Sequence, residues 1–283
     1  MLMGRLGIIA ASGKLPLQLA RAALSQGEEP FIICLNGQAN HDYSPFSFAS
    51  FAPGHLKSIT DALLEQGCDR LLLAGKFTRP SLSSLKLDSA GAALLGRLAL
   101  KGDDKALRLV SDYFADHQIK ILPNTDFLPD RLLPEGYHFG RDLSSFETAA
   151  LSLAVKVLSQ LGELDVGQAV ITQQDRVLAI EAAEGTQEMI SRAAHLIDNS
   201  TDAAVFVKMT KSQQDKMLDM PVIGLETLQS LAQAGIKVVG VSAGQTMLAD
   251  TLEAIEAELL AHKMVLTTDL NMPFDISAQE RAN

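Results

Sequence analysis

The sequence predicts an α/β protein of two domains, each a sheet packed against helices. Short apolar runs alternate with amphipathic helical patterns over most of the 283 residues. Continuous apolar runs of this kind are typical of strands buried in parallel sheets, with helices as the crossovers. The periodicity fades where five residues cluster: Pro123, Pro129, Pro134, Gly136 and Gly140. Such a stretch indicates a linker, so we predict domains over 1–130 and 145–283 joined by a linker over 131–144.

The first domain has the alternation of a Rossmann-like parallel sheet. Its apolar runs predict strands at 6–10, 30–35, 70–74 and 118–122. Helical patterns lie between them, at 15–26, 54–66, 94–98 and 104–117. Parallel sheets of this class bind ligands in the crevice at the carboxyl ends of their strands. The turns that follow these strands are therefore the first places to look for a site.

The second domain repeats the α/β pattern but begins differently. Two strands, 168–172 and 177–180, are separated by a short turn at 174–175, which predicts a hairpin. Further strands are predicted at 203–208, 237–241 and 265–268, and helices at 145–161, 187–198, 226–234 and 251–262. We expect a second, mixed α/β unit.

Composition excludes several classes of protein. The chain is 47% hydrophobic and 20% charged, which suits a globular protein with a core that needs no disulfide or metal. Its 24 basic and 34 acidic residues give a formal net charge of −10. Nucleic-acid binders carry basic stripes, so no nucleic acid partner is expected. An anionic ligand would need a local basic patch or a metal ion.

Cysteine usage and the N-terminus indicate the compartment. Cys34 and Cys68 lie in apolar contexts without a CxxC motif, which predicts buried thiols in a reducing environment. The first residues lack the features of a cleaved signal peptide, and no apolar run approaches the roughly 20 residues of a membrane span. We expect a cytoplasmic protein.

Two turns of the first domain are candidate anion sites. In the turn within 7–16, backbone N–H groups at a helix start could hold a phosphate, although GxGxxG is absent. The other interpretation makes Ser12 the helix N-cap. In the turn within 74–80, Lys76 and Arg79 follow a buried strand and could meet a phosphate, or form a solvated basic loop.

Three further turns carry polar residues next to predicted helices or strands. EAAEGT at 181–186 offers two carboxylates, a hydroxyl and free amides, and SAGQT at 242–246 follows the same logic. KGDD at 101–104 precedes a helix, where acidic residues favour the macrodipole. Helix capping accounts for much of each pattern. A phosphate- or sugar-facing role is the alternative for the first two, and proximity to a metal or a ribose for the third.

The segment KSQQDKMLDMPVIGLET, at 211–227, places Asp215 and Asp219 four residues apart. In a helix both carboxylates would share one face, but Pro221 disfavours helix at Met220 and puts Asp219 on a loop. Oxygen ligands of this kind suit Mg²⁺. Asp215 is open to a second interpretation, as a surface acid. Asp219 adjoins an apolar run where an unpartnered carboxylate would be costly, which favours a functional role.

Other chemistries lack their signatures. The six histidines show neither HxxxH nor HxH, so no zinc site is expected. There is no GxSxG elbow, no Cys–His signature and no phosphate-loop motif, so nucleophilic acyl transfer and NTPase chemistry are not indicated.

Seven segments, in order along the chain, resemble one known family. They are GIIAASGKLP at 7–16, AGKFTRP at 74–80, KGDD at 101–104, LDVGQAVI at 164–171, AIEAAEGT at 179–186, QDKMLDMPVIGLET at 214–227 and AGQTMLAD at 243–250. Together they resemble the UDP-2,3-diacylglucosamine pyrophosphatases of lipid A biosynthesis, of the type built from two α/β domains rather than the metallophosphatase type. The last three together are fairly specific, and no single one would be.

The resemblance implies a reaction and a set of site residues. The family hydrolyses UDP-2,3-diacylglucosamine to UMP and 2,3-diacylglucosamine 1-phosphate with Mg²⁺, binding the substrate between its two domains. Its essential aspartate matches Asp219, which would hold the metal or orient the attacking water, with Asp215 as a second metal-proximal acid. The substrate-binding candidates are Ala11, Ser12, Gly13, Gly75, Lys76, Thr78, Arg79, Gln168, Glu181, Gly185, Thr186, Lys208, Ala243 and Gly244.

Partners follow from the same resemblance. The substrate is a UDP-linked diacylglucosamine lipid, so we expect transient, peripheral contact with the inner membrane surface. A homodimer is the default assembly, because twofold dimers are the commonest soluble oligomers.

Two departures from the family pattern concern ligand contacts. Met217 stands where the family usually has an arginine, and Lys216 or Lys211 could replace its charge. Ala11 and Ser12 occupy part of a turn that is usually richer in glycine. The competing hypothesis is a non-catalytic nucleotide-sugar-binding α/β protein, or an oxidoreductase, although the latter lacks a dinucleotide fingerprint.

Overall fold

Each half of the chain contains the predicted combination of sheet and helices. The computed structural model describes residues 4–77, 86–98, 103–211 and 220–270. The chain divides into two units, the first ending at Pro129 and the second beginning at Asp130. The stretch predicted as a linker, 131–144, includes a short strand that pairs with the sheet of the second unit. The α/β class with a parallel sheet in the first unit is confirmed.

The first unit is a five-stranded sheet in the order β3-β2-β1-β4-β5, parallel at every pairing. β1 and β4 are neighbours, and the order reverses between them, so the crevice beyond their carboxyl ends is the expected ligand site of this topology. The elements are β1 (Arg5–Ala10), α1 (Leu15–Ser25), β2 (Phe31–Leu35), β3 (Ser47–Phe51), α2 (Leu56–Glu65), β4 (Cys68–Ala74), α3 (Ser89–Leu98), α4 (Asp103–Asp116) and β5 (Lys120–Ile121).

Burial explains why these strands form. All five residues of β2 are buried, as a continuous apolar run predicts for a central strand. One core cluster packs the sheet against α2 and the helices after β4, and its fully buried side chains include Leu63, Leu71 and Phe114. Cys34 and Cys68 are both buried and free, which confirms the prediction from their apolar contexts.

The second unit has a six-stranded mixed sheet in the order β6-β13-β11-β9-β7-β8. The central strands β13, β11 and β9 run parallel, whereas β7 is antiparallel to both of its neighbours and β6 is antiparallel to β13. Its elements are β6 (His138–Phe139), α5 (Ser145–Glu163), β7 (Ala169–Gln173), β8 (Arg176–Ile180), α6 (Thr186–Ala194), β9 (Ala204–Lys208), β10 (Val222–Ile223), α7 (Leu225–Gln233), β11 (Ile236–Val241), β12 (Met247–Leu248), α8 (Leu252–Ala261) and β13 (Val265–Thr267).

Side-chain alternation on the sheet of the second unit gives two cores. Val205 and Val207 face α5, whereas Phe206 faces the cluster formed with α6, α7 and α8. Because the sheet is covered on both faces, all five residues of the central strand β9 are buried. The β7–β8 hairpin confirms the turn predicted at 174–175, where Gln174 has a φ of 55°.

The longest helix, α5, begins with a capping box. The Ser144 hydroxyl accepts from the Glu147 N–H at 3.1 Å, and Glu147 accepts in return from the Ser144 N–H at 2.9 Å. Arg141 adds two bonds to the Glu147 carboxylate, at 2.6 and 2.7 Å. Glu147 is buried, so these bonds compensate for the loss of its hydration.

Candidate functional site

In the first unit, the turn after β1 and the end of β4 are joined by main-chain hydrogen bonds. Ser12 and Lys76 form an antiparallel bridge, with the Lys76 N–H donating to the Ser12 carbonyl at 2.8 Å. The Ser12 hydroxyl also donates to the Lys76 carbonyl, at 2.6 Å. Two of the predicted ligand turns therefore meet at the crevice between β1 and β4.

The helix that follows does not use Ser12 as its N-cap, so that interpretation is wrong. The N-cap position of α1 belongs to Lys14, without a side-chain cap, and Pro16 occupies the first turn of the helix. Proline suits this turn because its missing N–H would have no partner within the helix. Ser12 lies two residues earlier, and its hydroxyl is bonded across to Lys76 instead.

The N–H groups of Ala11, Ser12 and Gly13 all donate hydrogen bonds to acceptors in the first unit. Their acceptors are the Ala74 carbonyl at 2.9 Å, the Lys76 carbonyl at 3.3 Å and the Asn40 side-chain oxygen at 3.0 Å, in that order. These amides therefore hold the turn in shape rather than point toward a ligand. Asn40 was missed from the sequence, where an isolated Asn in a polar stretch carries no signal of this contact.

Gly75 is required by the close approach of the two turns. Its φ is 93°, and a Cβ there would lie 2.5 Å from the Ser12 carbonyl oxygen and 2.9 Å from the Ala11 carbonyl carbon. No side chain fits at that separation. Lys76 and Phe77, which follow it, are both exposed.

In the second unit, buried polar side chains meet at one edge of the sheet. Thr186, the first residue of α6, donates its hydroxyl to a carboxylate oxygen of Glu181 at 2.5 Å. The same hydroxyl accepts from the Lys208 ammonium at 3.1 Å. Glu181 and Lys208 are each only 9% exposed. Thr186 thus links a buried carboxylate to a buried ammonium group.

Gln168 completes this group, which we call the Glu181 network: Gln168, Glu181, Thr186 and Lys208. The Gln168 N–H donates to the second carboxylate oxygen of Glu181 at 3.0 Å. Gly167, with a φ of 58°, brings the chain against the Glu181 carbonyl so closely that a side chain would overlap it. Site residues predicted in three separate segments of the chain are therefore in one hydrogen-bonded group.

Strand directions explain why these residues meet. β7 starts where β8 and β9 end, because it is antiparallel to both, and Ala169 is paired with Lys208. β9 and β11 are parallel, and Lys208 is paired with Val241. The turn after β11 therefore lies at the same edge. This is the carboxyl edge of the parallel strands, where such sheets bind ligands.

The turn after β11 carries Ala243 and Gly244, two more predicted site residues. The Gly244 N–H donates to the Leu133 carbonyl at 2.8 Å, and Gly244 has a φ of 60°. The Thr210 hydroxyl donates to the Gln245 carbonyl at 3.0 Å, which ties this turn to the loop after β9.

The loop that leads from Glu181 into α6 is stabilised by an ion pair. The Arg192 guanidinium donates to Glu184 at 2.6 Å and to the Ile180 carbonyl at 3.0 Å. The backbone N–H of Glu184 itself, and then Arg192, lower the pKa of the Glu184 carboxyl. Gly185, at the N-cap position of α6, has a φ of 82°.

The remaining candidates lie outside the described residues. They are Thr78, Arg79, Asp215 and Asp219, together with Met217. Within the described part of the chain, no group of three or more His, Cys, Asp or Glu side chains is arranged to hold a metal ion. A cavity of about 250 Å³ near the end of β13, lined by residues that include His138, Asp142 and Asp269, contains none of the predicted site residues.

Comparisons with known proteins agree over nearly the whole chain. The family model described as the LpxI N-terminal domain matches residues 5–131, and the LpxI C-terminal domain matches residues 134–267. The UDP-2,3-diacylglucosamine pyrophosphatase LpxI of Caulobacter vibrioides is 32% identical over 263 residues, which cover 90% of this chain and 94% of that protein.

Solved structures match only distantly. A biotin carboxylase from Campylobacter jejuni is 13% identical with a TM-score of 0.28, and the match covers 68% of this chain and 42% of that one. The Bordetella bronchiseptica enzyme WbmH is 11% identical with a TM-score of 0.26, covering 39% and 36%. Similarity at this level supports no conclusion about the site.

Proposed function

Since this chain belongs to the LpxI family, we propose that it hydrolyses the pyrophosphate bond of UDP-2,3-diacylglucosamine, a step of lipid A biosynthesis. The products are UMP and 2,3-diacylglucosamine 1-phosphate. The observation that carries the proposal is the 32% identity to a pyrophosphatase across 90% of the chain, with both family domains matched. The chain is therefore a hydrolase that acts on a phosphorus-containing anhydride.

The Glu181 network supports a role in binding the charged part of the substrate. Lys208 is a buried cation at the sheet edge. A phosphate oxygen bound there would form a charge-assisted hydrogen bond with its ammonium group, and this bond is stronger where little water is present. Glu181 accepts from Thr186 and from the Gln168 N–H, one bond on each carboxylate oxygen. We assign Glu181 to positioning, through Thr186, and Lys208 to the phosphate.

The chemistry requires a water molecule to attack one phosphorus while the other phosphate leaves. Negative charge on the phosphate oxygens repels the attacking water. Fixed cations offset this repulsion, and they do not have to reorganise during the reaction. Lys208 would act in this way. Thr186 holds the ammonium at one position, so it would affect the rate through Lys208 rather than through contact with the reacting atoms.

We propose that Asp219 and Asp215 hold a Mg²⁺ ion. Two carboxylates supply the oxygen donors that Mg²⁺ prefers, although neither residue is among those described by the structure. When bound, the ion would neutralise phosphate charge during hydrolysis. Activity should vanish with a chelator and return on adding Mg²⁺. Full activity in excess chelator would refute the metal requirement.

The direct test is UMP release from UDP-2,3-diacylglucosamine by the purified chain. We expect the wild type to release UMP and Asp219→Asn to lose at least about 100-fold in kcat, as expected when a group needed in the transition state is removed. Asp175→Asn, in the exposed hairpin turn, is the matched control and should retain activity. Substrate binding without turnover by the wild type would instead indicate a nucleotide-sugar-binding protein.

We also propose transient, peripheral contact with the inner surface of the cytoplasmic membrane, because the substrate carries two acyl chains. None of the described helices combines the length and apolar character needed to cross a bilayer. Cosedimentation with vesicles that contain the lipid substrate should exceed that with substrate-free vesicles. A homodimer remains the default assembly, and sedimentation velocity would test it.

A further inference from the structure

The loop between α5 and β7 turns its charged side chain inward and its apolar side chains outward. Leu164 is 72% exposed and Val166 is 37% exposed. Asp165 lies between them, and its carboxylate accepts a hydrogen bond from the Lys211 ammonium at 2.5 Å. The Lys211 side chain is only 12% exposed. A surface loop usually has the opposite arrangement, because apolar side chains gain free energy when they leave water.

The backbone of the loop holds this arrangement. Asp165 has a φ of 59° and Gly167 a φ of 58°. The left-handed region is costly for a residue with a Cβ, although aspartate tolerates it better than most. The Val166 N–H donates to the Leu161 carbonyl at 3.1 Å, which closes the turn at the end of α5. The exposure of Leu164 and Val166 is therefore a property of a hydrogen-bonded turn of fixed shape.

The loop lies next to the Glu181 network. The Met209 N–H donates to the Gln168 carbonyl at 2.9 Å, which extends the pairing of β7 with β9 beyond Lys208. The ion pair described above continues this contact further from the sheet. Leu164 is four residues from Gln168 in the chain, so their Cα atoms are at most about 14 Å apart. The exposed apolar side chains and the Lys208 ammonium thus lie at the same edge of the second-unit sheet.

We infer that Leu164 and Val166 are the part of the second unit that enters the surface of a lipid bilayer when the substrate is bound. The choice of a bilayer rests on the proposed function. In that substrate one sugar ring joins the acyl chains to the phosphate that Lys208 would bind, so apolar contacts are needed close to this cation. The net charge of −10 opposes general attraction to anionic lipids. Local burial of apolar side chains in the bilayer surface supplies the attraction instead.

The chain contains no tryptophan, so an indole introduced at Leu164 reports on this loop alone. The probe is a vesicle of phosphatidylethanolamine brominated along its acyl chains, which also contains 2,3-diacylglucosamine 1-phosphate, the proposed product. We expect the fluorescence of Leu164→Trp to be quenched by these vesicles and its emission to shift to shorter wavelength. Leu260→Trp is the matched control, because Leu260 is also 72% exposed. It lies in the last turn of α8, before β13 begins and hence at the opposite edge of the sheet, so its fluorescence should not change.

Serine substitutions test whether the two side chains contribute to vesicle binding. Leu164→Ser should weaken cosedimentation with unbrominated vesicles that contain the product lipid about tenfold, and Val166→Ser should weaken it several-fold, since less apolar area is lost. The control Leu260→Ser should bind within about twofold of the wild type. All three side chains are exposed, so the variants should unfold at the temperature of the wild type. A role in the fold of the loop predicts the reverse: lower stability and unchanged vesicle binding.

The inference is overturned if Leu164→Trp is quenched no more than Leu260→Trp, or if Leu164→Ser and Val166→Ser cosediment as the wild type does. Emission of Leu164→Trp that changes with protein concentration alone, without lipid, would also overturn it, in favour of a second copy of the chain as the occupant. Should Leu164→Ser fail to fold, Val166→Ser decides the question by the same criterion. These measurements involve no turnover. Failure of the wild type to release UMP therefore refutes the proposed function, whereas equal quenching refutes this surface alone.

Discussion

The two candidate regions are held together by different kinds of bonds. In the first unit, the turn after β1 and the end of β4 are joined through main-chain groups and one short side chain, with a glycine at the point of contact. In the second unit, the Glu181 network joins a buried carboxylate and a buried ammonium through the hydroxyl of the half-buried Thr186. The first region should depend on backbone conformation, and the second on individual side-chain atoms.

The largest expected effect tests the backbone region. Gly75→Ala would add a Cβ 2.5 Å from the Ser12 carbonyl oxygen, at a residue with a φ of 93°. Backbone strain and steric overlap would therefore both destabilise the variant. We expect a loss of about 3 kcal/mol in the free energy of unfolding, measured by urea titration. Gly27→Ala is the matched control, because Gly27 has a φ of 82° with open space around it. It should cost only about 1 kcal/mol. Equal losses in the free energy of unfolding for the two variants would show that the close approach of Gly75 to Ser12 contributes nothing.

The next effect tests whether the side-chain region serves function rather than stability. Lys208→Met keeps the length of the side chain and removes its charge. We expect kcat/KM for UMP release to fall about 100-fold, the loss typical of a cation that stabilises phosphate charge in the reaction. Lys237→Met, at the opposite end of the sheet, should leave turnover unchanged. Normal turnover by Lys208→Met would remove Lys208 from the site.

A smaller effect separates positioning from binding within the Glu181 network. Thr186→Val removes the hydroxyl that donates to Glu181 and accepts from Lys208, whereas Thr186→Ser retains it. We expect kcat/KM to fall about tenfold in the valine variant and to recover in the serine variant. If both variants lose activity equally, the methyl group and its packing matter, and the hydrogen-bond argument is wrong.

The smallest expected effect tests whether the buried Glu147 carboxylate, which lies outside the site and pairs with Arg141, contributes to the stability of the protein. Burial alone would raise the pKa of the Glu147 carboxyl, but Arg141 and the Ser144 N–H outweigh it, and the pKa lies below its ordinary value. A carboxyl with a lowered folded-state pKa stabilises the protein above its unfolded-state pKa. That contribution is lost as the pH falls through the folded-state value.

Glu147→Gln should therefore lose about 1 kcal/mol of stability at pH 7 and show a shallower decline in stability below about pH 4.5, the range in which a carboxyl of this type protonates. Urea titrations across this pH range would measure it. Glu135→Gln, in an exposed loop, is the control and should follow the wild type. If stability declines below about pH 4.5 as steeply in Glu147→Gln as in the wild type, the ion pair with Arg141 adds nothing to stability.

Local sequence patterns predicted most of the elements. β2 and the second half of β4 are continuous apolar runs, and α5 carries its capping signature in Ser144 and Glu147. β3 was missed because it is an edge strand whose side chains are largely exposed, so no apolar run marks it. The two-residue strands β6, β10 and β12 are too short to have a periodicity. Tertiary pairing, rather than local preference, defines these four strands.

The sequence by itself determined the α/β class, the family and the segments that carry polar turns, because periodicity and motifs are local properties of the chain. It did not determine which polar groups meet. Thr186 and Lys208 are 22 residues apart, and Ser12 and Lys76 are 64 apart, yet each pair shares a hydrogen bond. Only strand order and direction bring such groups together.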